Sequence, residues 1–259
     1  MWLNLSEVHD CLTTESLGRR IVYLSSTGST MDVARREAEE GAAEGTVVVA
    51  EEQTAGRGRF GRTWVSPTGK NIYATLILRP DARGLRLLSV IAPLAVCRAA
   101  EDIALIPAQI KWPNDVLVNG RKLSGILIEN EFSGSLARFG LVGIGVNVNF
   151  DVEESAEIAL LATSLKRESG REISREGLLA ALLNHFEALY RRTPRDSDVL
   201  SAWKSRLETL GRTVTVTFRG QSHVGVAEDV DERGNLLLRQ PDGSLMTIEA
   251  GEVTLRAPE

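Results

Sequence analysis

The stretch with the clearest bearing on the fold is a loop rich in glycine and arginine. Residues 56–62 read G-R-G-R-F-G-R and match the G-x-G-x-x-G spacing of dinucleotide-binding proteins. In those proteins a helix opens at the third glycine. Here residues 62–67 read R-T-W-V-S-P, an extended stretch that stops at a proline, so we reject that interpretation. The irregular pattern covers residues 53–70, and irregular loops of this length within a domain are usually functional or disordered.

The charge of this loop differs from the charge of the whole chain. The loop carries Arg57, Arg59 and Arg62, and no acidic residue lies between Glu52 and Asp81. Each guanidinium presents a planar fork of donors that suits a carboxylate or a phosphate. The pattern therefore favours a loop that closes over an anion, although a solvated basic loop has the same composition.

Composition excludes several classes of protein. The 259 residues include 30 Lys and Arg against 35 Asp and Glu, which gives a formal net charge of −5. A net-acidic chain is a poor candidate for binding nucleic acid or an anionic membrane through its overall field. No window approaches the roughly 18 apolar residues of a membrane span. The first ten residues lack a basic signal-peptide region, and the two cysteines have no metal or disulfide spacing. We expect a reduced cytoplasmic protein.

The element pattern predicts an α+β body followed by a small β module. Strands alternate with helices up to residue 210, and the strands suggest a mixed, largely antiparallel sheet backed by helices. Asn119-Gly120 is a strong hairpin signal. From Thr213 to Phe218 polar and apolar residues alternate strictly, which is typical of a half-buried strand. We therefore predict domains at 1–210 and 211–259, helices over 175–190 and 199–210, and exposed strand edges near 136–149 that could pair two subunits.

Two lysines stand beside predicted turns of the middle region. Residues 111–115 read K-W-P-N-D between two short strands, so Lys111 arrives at a strand end beside a turn and could direct its charge at a phosphate. Lys122 starts the next strand, where Gly125 suggests a close backbone approach. On spacing alone, an ordinary role in a hairpin is the simpler interpretation of both lysines.

Polar residues elsewhere fit a ligand less specifically. Residues 143–149 read G-I-G-V-N-V-N, and glycines in a strand often let a ligand or another backbone lie close. Asn147 supplies a donor and an acceptor that suit an adenine edge. Ser29 and Thr30 precede a predicted helix, where capping is the simpler role, although a helix N-terminus also binds polar ligand groups.

Motifs for nucleophilic, metal or P-loop chemistry do not occur in the sequence. The three histidines lack triad or ligand spacing, and no G-x-x-x-x-G-K-[ST] sequence is present. An ordinary hydrolase is therefore excluded.

Taken together and in this order, the stretches resemble the biotin–protein ligase family. The resemblance covers roughly residues 20–255 and is carried by Ser29-Thr30 and by the segments 53–64, 111–115, 121–129 and 143–147. It implies a class II synthetase-like catalytic domain shared with lipoate ligases, followed by a C-terminal SH3-like β-barrel.

The resemblance implies a reaction in two steps. Biotin and ATP, with Mg²⁺, would give biotinyl-5′-AMP and pyrophosphate, and a lysine of a biotin carboxyl carrier protein domain would then attack the mixed anhydride. By similarity Arg59, Lys122 and Lys111 would be catalytic. The biotin-binding residues would be Ser29, Thr30, Met31, Gln53, Gly56, Arg57, Gly58, Arg59, Lys122 and Gly125. The ATP-binding residues would be Arg57, Arg59, Arg62, Trp64, Lys111, Asn114, Lys122 and Asn147.

Bifunctional members of this family carry a DNA-binding domain of some 60 residues before the Ser-Thr stretch. Only 28 residues precede Ser29, so we expect a monofunctional ligase that does not bind DNA. A lipoate or octanoate ligase of the same fold is the nearest alternative. A non-catalytic binding module is a second one, but it leaves the arginine loop and the paired lysines unexplained.

Overall fold

Two β-sheets and six helices make up the part of the chain that a computed structural model describes, namely residues 2–134, 136–155, 158–192, 197–218, 220–249 and 251–255. The helices are α1 (Leu5–Cys11), α2 (Thr30–Glu39), α3 (Ala82–Ala104), α4 (Leu165–Ser169), α5 (Arg175–Arg192) and α6 (Ser197–Lys204). The first sheet contains β1 (Ile21–Leu24), β2 (Val47–Ala50), β3 (Ile72–Leu78), β4 (Gln109–Lys111), β5 (Asp115–Val118), β6 (Arg121–Ser133) and β7 (Leu136–Val146). The second contains β8 (Thr213–Phe218), β9 (Gln221–Val230), β10 (Leu236–Arg239), β11 (Leu245–Ile248) and β12 (Glu252–Leu255).

The first sheet is mixed and largely antiparallel, which confirms the predicted fold class. Its strand order is β1-β2-β3-β7-β6-β5-β4, and β1–β2 is its one parallel pair among the described strands. The hairpin between β5 and β6 turns at Asn119 and Gly120, whose φ angles of 50° and 74° are those that a two-residue turn requires.

Helices cover both faces of this sheet. Ala74 and Leu76 of β3 belong to the large apolar core that contains α3 and α5, whereas Ile77 of β3 packs in a smaller core with α2. Because successive strand residues point to opposite faces, α2 and α3 lie on opposite sides of the sheet. This explains why all seven residues of β3 are buried.

The second sheet is antiparallel throughout, with the order β11-β10-β9-β8-β12. The alternation predicted for residues 213–218 is confirmed, since Val214 and Val216 are fully buried while Thr213 and Thr217 are exposed. A five-stranded module of this kind is consistent with an SH3-like barrel. The domain division at 210/211 stays a prediction.

Two details of the sequence prediction are wrong. The helix expected over 199–210 ends at Lys204, because Arg206 and Glu208 instead pair their backbones with Ile110 of β4 at 2.8 and 2.9 Å. The exposed edge expected over 136–149 lies mostly inside the sheet, because residues 140–146 of β7 pair with β3 on one side and β6 on the other. That segment therefore cannot pair two subunits along its length.

None of the helices in the described ranges combines the length and apolarity that crossing a membrane requires.

Candidate active site

One cavity of about 300 Å³ lies on the α2 side of the first sheet and collects nearly all of the residues singled out in the sequence. Those that line it are Ser29, Thr30, Met31, Gln53, Arg57, Gly58, Arg59, Arg62, Trp64, Lys111, Asn114, Lys122, Gly125 and Asn147. Gly56 is not part of the lining, and a Cβ there would lie 2.5 Å from the Trp64 carbonyl oxygen. Residues from widely separated stretches of sequence thus meet in one place.

The N-terminus of α2 forms one end of the cavity. The hydroxyl of Ser29 caps the helix by accepting from the Met31 N–H at 3.3 Å, as its sequence position predicted. The Thr30 N–H donates to Oε1 of Gln53 at 2.9 Å, and the Thr30 hydroxyl donates to the same oxygen at 3.1 Å. Ser29 and Thr30 are both buried, so this end presents fixed polar groups.

Glycines in the central strands make room for the cavity floor. Gly125 of β6 and Gly145 of β7 lie opposite each other in register, and the indole of Trp64 packs against both. A Cβ at Gly145 would come within 2.5 Å of the indole Cε2, and one at Gly143 within 2.8 Å of the Met31 sulfur. The sequence predicted that a ligand or another backbone lies close to these glycines. In the structure, the groups that approach them are the side chains of Trp64 and Met31. The Trp64 Nε1–H is buried and has no hydrogen-bond partner within the described ranges.

The arginine loop is folded over the cavity by its own backbone. Gly58 N–H donates to the Arg62 carbonyl at 2.7 Å, and Trp64 N–H donates to the Gly56 carbonyl at 2.9 Å. Arg59–Gly61 form a single 3₁₀ turn in which Phe60 has a φ of 57°. No α-helix follows the third glycine before β3, which agrees with rejecting the dinucleotide motif.

The three loop arginines have different partners. Arg57 pairs with Asp32 at 2.7 Å and with Glu129 at 3.5 Å, and Arg62 pairs with Glu252 of the second sheet. Arg59 is more buried, and its Nη1 donates to Oδ1 of Asn114 at 2.8 Å. Burial lowers the pKa of the Arg59 guanidinium from its ordinary value, against the attraction of Asp115 and Glu252.

Two lysines join Arg59 at the cavity. Lys122 Nζ lies 2.7 Å from Oδ1 of Asp115 and 5.5 Å from the centroid of the Trp64 ring. Lys111 lies opposite Asp115 in the β4–β5 pairing, and within the described ranges it makes no ion pair. The turn between them is held by Asn114, whose Nδ2 donates to the Ile126 carbonyl at 2.5 Å.

Asn147 lies at another part of the wall, beside apolar residues. Its Nδ2 donates to the Thr163 carbonyl at 3.0 Å, and the side chain is almost fully buried. The segment just before Thr163 also lines the cavity, through Ile158, Leu161 and Ala162. The structure therefore adds an apolar surface that sequence analysis missed, because these residues stand in an irregular segment without a motif.

The acidic partners of these cations were not predicted from the sequence. Asp115 was visible in the K-W-P-N-D stretch, but its pairing with Lys122 depends on the β5–β6 register. Glu252 lies 190 residues from Arg62 and had no signal in the sequence. In the described ranges no cluster of three or more His, Cys, Asp or Glu side chains is arranged to hold a metal ion.

Comparison with known proteins gives matches along most of the chain. The Biotin/lipoate A/B protein ligase family matches residues 23–147, and the Biotin protein ligase C terminal domain matches residues 209–256. The bifunctional ligase/repressor BirA of Bacillus spizizenii is 37% identical over 246 residues, which span 93% of this chain and 76% of that protein. The biotin–acetyl-CoA-carboxylase ligase of Paracoccus denitrificans is 39% identical over 80% of this chain and 88% of its own length.

A solved structure agrees with the sequence matches. The biotin protein ligase of Aquifex aeolicus, in complex with biotin and ATP, superposes with a TM-score of 0.78 at 30% identity. The match covers 93% of this chain and 100% of that one. On these matches in sequence and fold, the chain belongs to the biotin protein ligase family.

Proposed function

We propose that this chain attaches biotin to a lysine of a carrier protein through a biotinyl-adenylate. The observation that carries the proposal is the meeting of Arg59, Lys111 and Lys122 in one cavity whose far end presents fixed polar groups at Thr30 and Gln53. The names of the relatives support biotin as the acid, and the Aquifex complex supports ATP as the nucleotide.

The first step joins two anions, and the cations of the cavity answer that difficulty. A biotin carboxylate oxygen attacks the α-phosphorus of ATP, the bond to the β-phosphate oxygen breaks, and pyrophosphate leaves. Negative charge builds on the phosphoryl oxygens, and cations placed where it builds stabilise the transition state. Lys122 and Arg59 are assigned to these oxygens, and Lys111 to the remaining phosphates.

The second step needs no nucleophile from the enzyme. The amine of the carrier lysine attacks the acyl carbon, the bond from that carbon to the phosphate oxygen breaks, and AMP leaves while the amine loses a proton. The loop at 56–62 covers the cavity, and a covered anhydride is protected from water. Asn147 and Trp64 are assigned to the adenine and ribose side, where the wall is apolar.

Mg²⁺ is expected to enter with ATP. This ion usually binds one or two carboxylates together with the phosphates of a nucleotide, and it keeps several waters. Asp115 is the carboxylate of the cavity nearest Lys122 and is assigned to this role. The expected partner is a biotin carboxyl carrier protein domain in the cytoplasm. Binding to DNA is not expected of a chain with a formal net charge of −5, and a gel shift with a biotin-operon promoter fragment would contradict this part of the proposal.

The test is pyrophosphate release from Mg-ATP with biotin, lipoate or octanoate, each with and without a biotin carrier domain. We expect release with biotin, and transfer of labelled biotin to one carrier lysine. Lys122→Ala should slow adenylation by about 10²–10³-fold, the effect of losing one group aimed at developing charge. Lys166→Ala, which removes an exposed lysine paired with Glu172, is the matched control. Release with lipoate alone would contradict the proposal.

A further inference from the structure

A line of hydrogen bonds runs behind the Thr30 end of the cavity and ends beneath the arginine loop. Thr75 Oγ1 donates to Thr30 Oγ1 at 2.8 Å, and Thr30 Oγ1 donates to Gln53 Oε1 at 3.1 Å. Gln53 Nε2 then donates to Ser66 Oγ at 3.1 Å, and Ser66 Oγ donates to the Trp64 carbonyl at 3.0 Å. Thr75 and Ser66 are buried and do not line the cavity.

Two main-chain groups fix the direction of every bond in this line. The Thr30 N–H can only donate, so the Gln53 atom that it meets at 2.9 Å must be the carbonyl oxygen. The Thr30 hydroxyl must therefore also donate to that oxygen, and Thr75 must donate to Thr30. At the other end the Trp64 carbonyl can only accept, so the Ser66 hydroxyl donates its one proton to that carbonyl and accepts from Gln53 Nε2.

With the bonds in these directions, one lone pair of Thr30 and one N–H of Gln53 remain free to bind a ligand. The Thr30 hydroxyl donates its one proton to Gln53 and accepts one hydrogen bond from Thr75, so one lone pair of Oγ1 remains free. Gln53 Oε1 accepts two bonds from Thr30, while Gln53 Nε2 keeps one free proton. Thr30 and Gln53 together therefore offer one acceptor and one donor, which complement an N–H and a C=O carried side by side on the ligand.

We infer that Thr75 and Ser66 are positioning residues, which hold the Thr30 hydroxyl and the Gln53 amide in this orientation for the cyclic urea of biotin. The inference rests on the proposed function and deepens it, because it identifies what selects the acid. A lipoyl or octanoyl chain presents neither an N–H nor a carbonyl at its distal end. A site built to hydrogen-bond a ligand rejects analogues that lack the partner group, since its buried polar groups are then left unpaired.

The same line reaches the start of the arginine loop. A Cβ at Gly56 would lie 2.8 Å from Ser66 Oγ and 3.1 Å from Gln53 Nε2, so the loop backbone rests directly on these two groups. Gly56 also accepts from the Trp64 N–H at 2.9 Å. The side chains that orient the urea site are thus in contact with the loop that carries Arg57 and Arg59.

The test compares Thr75→Val and Ser66→Ala with the wild type in pyrophosphate release from Mg-ATP. One hydrogen bond contributes about 1 kcal/mol net, and an unpaired buried donor costs up to about 3 kcal/mol. We expect the KM for biotin to rise about five- to hundredfold, with kcat and the KM for ATP within twofold of wild type. The preference for biotin over octanoate should fall by the same factor, and Thr75→Ser should restore it.

Thr46→Val is the matched control, because the Thr46 hydroxyl is buried and has no hydrogen-bond partner within the described ranges. It should leave all three constants unchanged. If Thr75→Val and Ser66→Ala raise both KM values and lower kcat together, or if they leave the KM for biotin at the wild-type value, the inference is wrong. Pyrophosphate release by the wild-type protein with biotin is measured before any variant. If there is none, the proposed function itself is wrong.

Discussion

Arg59 differs from the other two arginines of its loop in what it contacts. Arg57 and Arg62 pair with carboxylates near the surface, whereas Arg59 bonds the uncharged Asn114 and is partly buried. A buried cation without a bonded carboxylate is costly. An anionic ligand beside Arg59 would remove that cost, so this arginine is the member of the loop best placed to hold an adenylate.

Replacing Arg59 by alanine should therefore weaken retention of the acyl-adenylate. A charge-assisted hydrogen bond contributes about 1.5–3 kcal/mol, so we expect dissociation of biotinyl-5′-AMP to become about ten- to hundredfold faster. The measurement is a chase of labelled adenylate from the enzyme. Arg20→Ala removes an exposed arginine paired with Glu37 and is the control. A wild-type dissociation rate in Arg59→Ala would refute the assignment.

A single methyl group at the cavity floor should block the site without unfolding the protein. In Gly145→Ala the new Cβ would lie 2.5–2.8 Å from three atoms of the Trp64 indole, so the indole must move. We expect adenylation to fall at least tenfold with little change in the far-ultraviolet circular dichroism. Gly28→Ala is the matched control, since nothing lies within 4 Å of a Cβ there. Full activity in Gly145→Ala would show that the indole position is unimportant.

At the scale of elements, a buried ion pair ties the N-terminal segment, β2 and α5 together. Glu51 follows β2 and pairs with Arg175 of α5 at 2.7 Å, with both side chains almost fully buried. Glu51 also accepts from the Leu3 N–H at 2.6 Å and from the Tyr23 hydroxyl. Burial alone raises the pKa of Glu51, but the bonds from Arg175, Tyr23 and Leu3 and the charge of Arg175 outweigh it and lower the pKa.

This lowered pKa predicts how stability depends on pH. Because the folded state favours the ionised form, Glu51 contributes stability above the ordinary pKa of glutamate, and this contribution is lost as the pH falls through the folded pKa. Glu51→Gln removes the buried carboxylate that pairs with Arg175 and should cost about 3–5 kcal/mol of unfolding free energy at pH 7. Urea unfolding from pH 7 to pH 3 should show the gap between variant and wild type shrinking below about pH 4.5.

The control for this measurement is Glu172→Gln, which removes an exposed partner of Lys166. Surface pairs contribute about 0–1 kcal/mol, so its unfolding curve should stay near that of the wild type. A gap for Glu51→Gln that stayed constant between pH 7 and pH 3 would contradict the sign argued above.

Features that depend on residues close together in the sequence could be predicted, and features that depend on distant residues could not. The Asn119-Gly120 turn, the Ser29 cap and the alternation of β8 depend on a few neighbouring residues, and all three were predicted. The end of α6 and the Glu252 partner of Arg62 depend on contacts across about 100 and 190 residues. Local pattern contains no information on such contacts, which is why these features were missed.

At the scale of the whole molecule, the two sheets share one apolar core. Val214, Val216 and Leu236 of the second sheet belong to the same buried cluster as α3, α5 and β3. Trp112 also crosses between them, since its Nε1 donates to the Gly234 carbonyl at 2.9 Å. A shared core predicts that the chain unfolds as one cooperative unit, although β8–β12 form a sheet of their own.

A cavity in the second sheet should therefore destabilise the first. Val216→Ala removes buried methyl groups and should cost about 1–3 kcal/mol. If the core is cooperative, the urea midpoint should fall equally by far-ultraviolet circular dichroism and by tryptophan fluorescence, because all four tryptophans lie outside the strands of the second sheet. Val226→Ala, at a valine 40% exposed in β9, should change neither midpoint. Two separated transitions, with the fluorescence midpoint unchanged in Val216→Ala, would mean that the second sheet unfolds independently. The ion pair between Arg62 and Glu252 could then be lost while the first sheet stays folded.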